Sequence, residues 1–190
     1  MKKISIIGDS FSSDTVSPAS WIKILSNHYN VSNYSQRGIS QYRLYKNLII
    51  NYHSIKQSDA VIIFHTNPDR VYVPDEVNFP SRMLNSHLYC DLVASDSLEK
   101  QSWKHIVENF YRYFYDQEQQ NLYYQLLVER MIKLLNDQKV IHCSGFNLHL
   151  NIKSFLPIQQ KYPGDINHCS AEGNNQIYQY LIKELHNENI

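Results

Sequence analysis

The chain has 190 residues, 43% of them apolar, which is enough for one domain with a full core, read as a single unit over 1–190. Its 18 Lys and Arg balance its 18 Asp and Glu, so no global field draws in nucleic acid or an anionic membrane, and a small or neutral substrate is expected. Cys90, Cys143 and Cys169 are odd in number and widely spaced, which argues against a disulfide framework or a zinc site and makes a reducing, cytoplasmic compartment the expectation. Met1-Lys2-Lys3 imitates the start of a signal peptide, but the apolar stretch behind it is too short, and no segment is long enough to span a bilayer. Neither a cofactor nor a metal is expected.

In chain order, strand and helix patterns alternate. Residues 3–7 read as a buried first strand. Ser17-Pro18 offers a helix cap with proline at the first helical position, ahead of Trp21, Ile24 and Leu25 at helical spacing. Residues 30–34 form a weaker second strand. Gly38 breaks the chain, and Ser40 caps a helix carrying Leu44, Leu48, Ile49 and Tyr52 on one side. Residues 59–65 contain Ala60-Val61-Ile62-Ile63-Phe64, whose continuous apolar character predicts a central parallel strand covered on both faces.

Residues 67–97 hold Pro68, Pro74 and Pro80 without a sustained period, a long connection of the kind that is more often functional than structural. Two helices follow. One carries Trp103, Ile106, Val107, Phe110, Tyr111 and Phe114; the other carries Leu122, Leu126, Leu127, Met131, Leu134 and Leu135. Residues 140–143 read as the fourth strand, and Ser154-Phe155-Leu156 is the candidate fifth. Ser170 caps a last helix with Ile177, Leu181, Ile182 and Leu185 as its packing stripe. The expected fold class is α/β, a three-layer α/β/α sandwich around a central parallel sheet of four to five strands.

Two short motifs stand at opposite ends of this pattern. Gly8-Asp9-Ser10 follows the first strand, and Asp165-Ile166-Asn167-His168 precedes the last helix. Together they supply the groups of a serine hydrolase: Ser10 attacks, His168 takes and returns its proton, and Asp165 fixes the imidazole tautomer. In an open parallel sheet the loops at the carboxyl ends of the strands meet in one crevice. Ser10, Gly38, Asn67, Asp165 and His168 all fall on such loops and are expected to converge.

At these residues the chain resembles the SGNH, or GDSL-type, hydrolases, from Gly8 to Gly173. Gly8-Asp9-Ser10-Phe11 matches the first block and Asn33-Tyr34-Ser35-Gln36-Arg37-Gly38 the second. His65-Thr66-Asn67-Pro68 stands where the third block usually reads Gly-x-Asn-Asp, so its asparagine is kept and its flanks are replaced. Asp165-Ile166-Asn167-His168, with Ser170 and Gly173, matches the fourth. The resemblance implies a flavodoxin-like SGNH hydrolase fold. It also implies Ser10 as nucleophile with His168 and Asp165, and an oxyanion hole from the Ser10 N–H, the Gly38 N–H and the Asn67 amide. The altered third block implies a divergent oxyanion site.

The function this implies is a serine esterase acting on a small acyl ester, with a carbohydrate O-acetyl group favoured by family analogy. Two alternatives stand beside it. One is an SGNH fold kept as a glycan-binding or structural subunit with weakened chemistry. The other is a flavodoxin-like module in which Ser10, Ser12 and Ser13 cradle a phosphate or nucleotide. Plainer roles are expected for four further features. His65 reads as a hydrogen-bonded strand-end residue, Arg70 as a surface arginine, and Cys169 as packing. The tyrosines at 111, 113, 115, 123 and 124 are read as shared between helix packing and surface.

Overall fold

Strands with too few polar side chains to face water must be covered on both sides, and three such strands form the centre of this molecule. In the computed structural model, which describes residues 1–13, 19–74, 91–92, 104–148, 150, 152–164 and 168–187, β1 (Lys3–Gly8), β3 (Ala60–His65) and β4 (Val140–Ser144) lie side by side. β2 (Asn30–Asn33) and the two-residue β5 (Lys153–Ser154) complete the edges of a five-stranded, all-parallel sheet in the order β2-β1-β3-β4-β5. The chain therefore leaves β1 toward one edge and returns across it to β3. The loops after β1 and β3 diverge at that point and open a crevice at the carboxyl end of the sheet.

Helices cover both faces and complete a three-layer α/β/α sandwich. On one face, α1 (Trp21–Ser26) and α7 (Ala171–His186) pack Trp21, Leu25, Ile177 and Leu181 against Ile4, Ile6, Ile62 and Phe64. The short α6 (Leu156–Lys161) adds Ile158 at the rim. On the other face, α2 (Gln41–Ile50), α3 (Tyr52–Lys56) and α5 (Gln117–Leu134) bring Leu44, Leu48, Ile55 and Met131 onto Ile7, Val61 and Ile63. Each such side chain taken fully out of water stabilises the fold by about 1.5–3 kcal/mol before the cost of ordering it. α4 (Lys104–Tyr113) buries Val107. No helix among the described residues is long and apolar enough to cross a membrane.

Several local expectations need correction. Ser17 and Pro18 lie outside the described residues, and the cap of α1 is Ser20, whose hydroxyl accepts the Lys23 N–H. The stripe of α2 holds at Leu44 and Leu48 but not at Ile49, which is 44% exposed, because it stands about 140° around the helix from Leu44. In α5 the buried side is Tyr124, Leu127, Val128 and Met131, whereas Leu122 and Leu126 face outward. Ser40 and Ser170 cap α2 and α7 as expected, accepting the Arg43 and Gly173 N–H groups. Trp103, Cys90, Pro80 and Ser97 lie outside the described residues.

The connection after β3 is anchored by a buried ion pair. Asp91 and Arg43 are 2% and 4% exposed. Arg43 Nη2 lies 3.1 Å from Asp91 Oδ1, and its Nε lies 3.2 Å from Oδ2. The same carboxylate accepts the N–H groups of Ser40 (2.8 Å) and Val73 (3.1 Å), while the Asp91 N–H donates to the Gly38 carbonyl (2.8 Å). One short antiparallel bridge, Val71 to Leu92, closes the loop on itself. Arg70, expected at the surface, is instead partly buried and donates to the Asp91 carbonyl (3.1 Å). Removing one partner strands a buried charge. Asp91→Ala is therefore expected to lower stability by about 3–5 kcal/mol in denaturant unfolding and to speed hydrogen exchange at the Ser40 amide. An unchanged midpoint and unchanged exchange would show that the pair does not hold the loop.

Candidate functional site

The crevice is built outward from the end of β1. Gly8 is the last residue of that strand, and a Cβ there would come within 2.6 Å of both the Cβ and the carbonyl oxygen of Phe64 on β3. Only glycine lets the two strands close at this point. Asp9 follows, 3% exposed, and caps a single 3₁₀ turn, Ser10–Ser12, by accepting the Phe11 N–H at 3.0 Å. The Thr66 side chain also favours the charged form of Asp9. Burial outweighs these bonds and the Arg70 charge, and pushes the Asp9 carboxyl up to about 6.

Phe11 locks the turn in place. Its ring stacks on Phe64 at 6.1 Å, meets Phe146 edge-on at 5.4 Å, and lies 4.9 Å from the His168 ring. Its carbonyl accepts the Trp21 indole N–H.

His168 is placed by the start of α7. The Gly164 N–H donates to the His168 carbonyl, and Cys169 bridges back to Pro163. Asn174 donates to the Cys169 carbonyl and accepts the Trp21 N–H, tying α7 to α1. Ser10 and His168 line one small cavity with Phe11, Ser20, Cys169 and Asn174. Phe11 and His168 also form the wall of an adjoining groove of about 380 Å³, floored by Gly145, Phe146 and Leu156. Burial, and after it the Arg37 charge, holds the His168 imidazole below its ordinary range. No hydrogen bond joins Ser10 to His168 in this arrangement. Asp165, expected as the orienting carboxylate, lies outside the described residues, as do Ile166 and Asn167.

The expected oxyanion donors lie on the neighbouring loops. Gly38 sits at φ 67°, a left-handed conformation that costs any other residue about 1–2 kcal/mol. Its carbonyl is held by the Asp91 N–H. Asn67 forms a turn, with Oδ1 accepting the Asp69 N–H at 2.8 Å. The turn and the donor role are compatible, since the bond spends the oxygen of the amide and leaves its NH₂ group. None of the Ser10 N–H, the Gly38 N–H and the Asn67 amide NH₂ donates to another described group. Of the three serines expected to cradle a phosphate in the alternative reading, Ser10 and Ser13 line the cavity with His168. Ser12 is fully buried and donates to the Asp9 carbonyl, so it cannot present that hydroxyl to a ligand.

Two features had weak sequence signals. His65 bonds, as expected of a strand-end residue, but its partners were not legible. Its Nδ1 lies 2.9 Å from Gln41 Nε2, and its Nε2 lies 2.9 Å from Nδ1 of His142, the rings being stacked at 13°. One neutral arrangement satisfies all these atoms: Gln41 donates to His65, and His65 donates to His142. A proton added to His142 Nδ1 would face a donor. The second feature is Cys169, which is 7% exposed within the core as expected, with burial raising its thiol to about 11. Another groove, about 470 Å³ between α4 and α5, is lined by residues such as Phe110, Phe114 and Leu126 and by neither Ser10 nor His168. Among the described residues no three His, Cys, Asp or Glu side chains are grouped to hold a metal ion. No protein-family model matches this chain, and no curated protein matches it.

The buried imidazoles carry a pH signature. Burial, reinforced for His65 by its neighbour, lowers His65 well below the ordinary 6.5 and His142 to about 4. The unfolded chain then binds protons that the folded chain refuses, so this stability is present above pH 6.5 and lost as pH falls toward 4. Asp9, raised to about 6, acts in the opposite sense between about 4 and 6. Wild-type stability is expected to fall from pH 6.5 to 4.5, and His142→Gln to flatten that slope by up to about 3 kcal/mol, read by denaturant unfolding at each pH. Parallel slopes for the two proteins would contradict the assignment.

Proposed function

We propose that the chain is a serine esterase of the SGNH type that cleaves a small acyl ester through an acyl-enzyme. The resemblance favours an O-acetylated carbohydrate as substrate. One observation carries the reading: Ser10 and His168, from opposite ends of the chain, line the same cavity at the carboxyl edge of the sheet.

His168 takes the proton as Ser10 Oγ attacks the ester carbonyl, forming the C–O bond of a tetrahedral intermediate. The oxygen that becomes negative is met by the Ser10 N–H, the Gly38 N–H and the Asn67 amide, three donors with no internal bond to give up. Collapse expels the alcohol, which receives the proton from His168. Water then repeats the sequence, returning the acid and free Ser10. The resemblance assigns the orienting of the imidazole to Asp165. The adjoining groove beside Phe146 and Leu156 is wide enough for one of the two substrate halves.

Hydrolysis of 4-nitrophenyl acetate tests the reading. Ser10→Ala is expected to lose at least about 10³-fold in kcat and to lose fluorophosphonate labelling. Asn67→Ala is expected to lose about 10²–10³-fold in kcat with little change in KM. Full labelling of Ser10→Ala refutes the nucleophile, and a wild type that binds acetylated glycans without turnover favours the binding-subunit alternative. Because His168 must be neutral to accept the proton, kcat/KM is expected to rise with pH through an ionisation below 6.5, the direction its burial and Arg37 impose. A midpoint above 7 would be inconsistent with this environment.

A further inference from the structure

Three arginines stand at the carboxyl edge of the sheet, and two of them are engaged. Arg43 is paired with Asp91, and Arg70 donates to the carbonyls of Asp91 and Gly38. Arg37 differs. It sits on the loop after β2, which is stitched to the Ser10 turn by Gln36 N–H to the Gly8 carbonyl (2.9 Å) and by Asn33 Nδ2 to the Ser12 carbonyl (3.0 Å). Arg37 is half-buried, and its Nε, like that of Arg70, is shut away from water without a hydrogen-bond partner among the described residues. Unlike Arg70, its guanidinium makes no other bond to a described group, and its charge reaches the His168 imidazole. A partly buried cation with no counter-charge among the described residues opposes charging of the general base. A ligand anion supplies what the chain does not, since a guanidinium presents a planar fork of donors to a carboxylate or phosphate. The chain's net charge is zero, so selection for such a ligand has to be local.

We propose that Arg37 is the specificity-determining residue of this site and selects an ester that carries an anionic oxyacid group, a carboxylate or a phosphate, close to the scissile bond. The reaction in this proposal rests on the esterase reading; the charge preference rests on Arg37 and is measurable without turnover. It narrows the substrate from a neutral acetyl ester to an acidic one, such as an acylated sugar acid or sugar phosphate.

The test compares kcat/KM for three acetyl esters: 4-acetoxybenzamide, 4-acetoxybenzoate and 4-acetoxyphenyl phosphate. Wild type is expected to prefer the better anionic ester over the amide by about tenfold or more, as for a charge-assisted hydrogen bond. The better of the two anionic esters identifies the oxyacid. Arg37→Gln is expected to bring that ratio near one, Arg37→Lys to keep part of it, and Arg37→Glu to invert it. A wild-type ratio near one, or an equal ratio in wild type and Arg37→Gln, overturns the proposal. If Arg37→Gln fails to fold, the Arg37→Lys ratio decides, and a ratio equal to wild type counts against it. If no ester is hydrolysed, the esterase reading fails on its own. Calorimetric titration with 4-hydroxybenzoate against 4-hydroxybenzamide then reads the anion site, and binding of the carboxylate without dependence on Arg37 overturns it.

Discussion

The arrangement of the crevice depends on one buried carboxylate. Asp91 is separated from Arg43 by 48 residues, yet its two oxygens serve the Arg43 guanidinium and the N–H groups of Ser40 and Val73. Its own N–H holds the Gly38 carbonyl. A carboxylate taken out of water needs this many partners, and the need works in both directions. The loop after β2, the start of α2 and Val73 after β3 are thereby tied to one carboxylate. Gly38 can remain in its left-handed conformation beside the Ser10 turn because the groups on either side of it are already committed.

Burial then tunes the ionisable groups at this edge in different senses. Desolvation disfavours whichever form is charged, so it raises Asp9 and Cys169 and lowers His65, His142 and His168. The three histidines share a cause but differ in partners. His65 bonds His142 and the amide NH₂ of Gln41, which closes them off as a structural pair under the α2 and α5 layer. His168 faces a cavity with Ser10 and feels the Arg37 charge, so its proton chemistry is open to whatever occupies that cavity.

Much of the framework was legible because strand and helix periods are local. The run Ala60-Val61-Ile62-Ile63-Phe64 is apolar without alternation, and β3 is buried on both faces and central in the sheet. Ser40 and Ser170 announced two helix starts, since a hydroxyl before an amphipathic run has few better uses than an unpaired N–H. Reading failed where the helical period was followed too loosely. Ile49 stands about 140° around α2 from Leu44, and Leu122 about 160° around α5 from Tyr124, so both lie off the buried stripe and face water.

The sequence by itself determined the layers, the order of the elements and the loops on which Ser10, Gly38, Asn67 and His168 would fall, since in a parallel sheet every strand delivers its following loop to the same edge. Only the tertiary structure decided which side chains meet there. Asp91 on Arg43, His65 on His142, and Phe11 between Phe64 and His168 are all contacts between distant segments. No periodicity encodes them. Their partners are chosen by the demand that buried charge and buried polar atoms be satisfied, and that demand exists only once the chain has folded and excluded water.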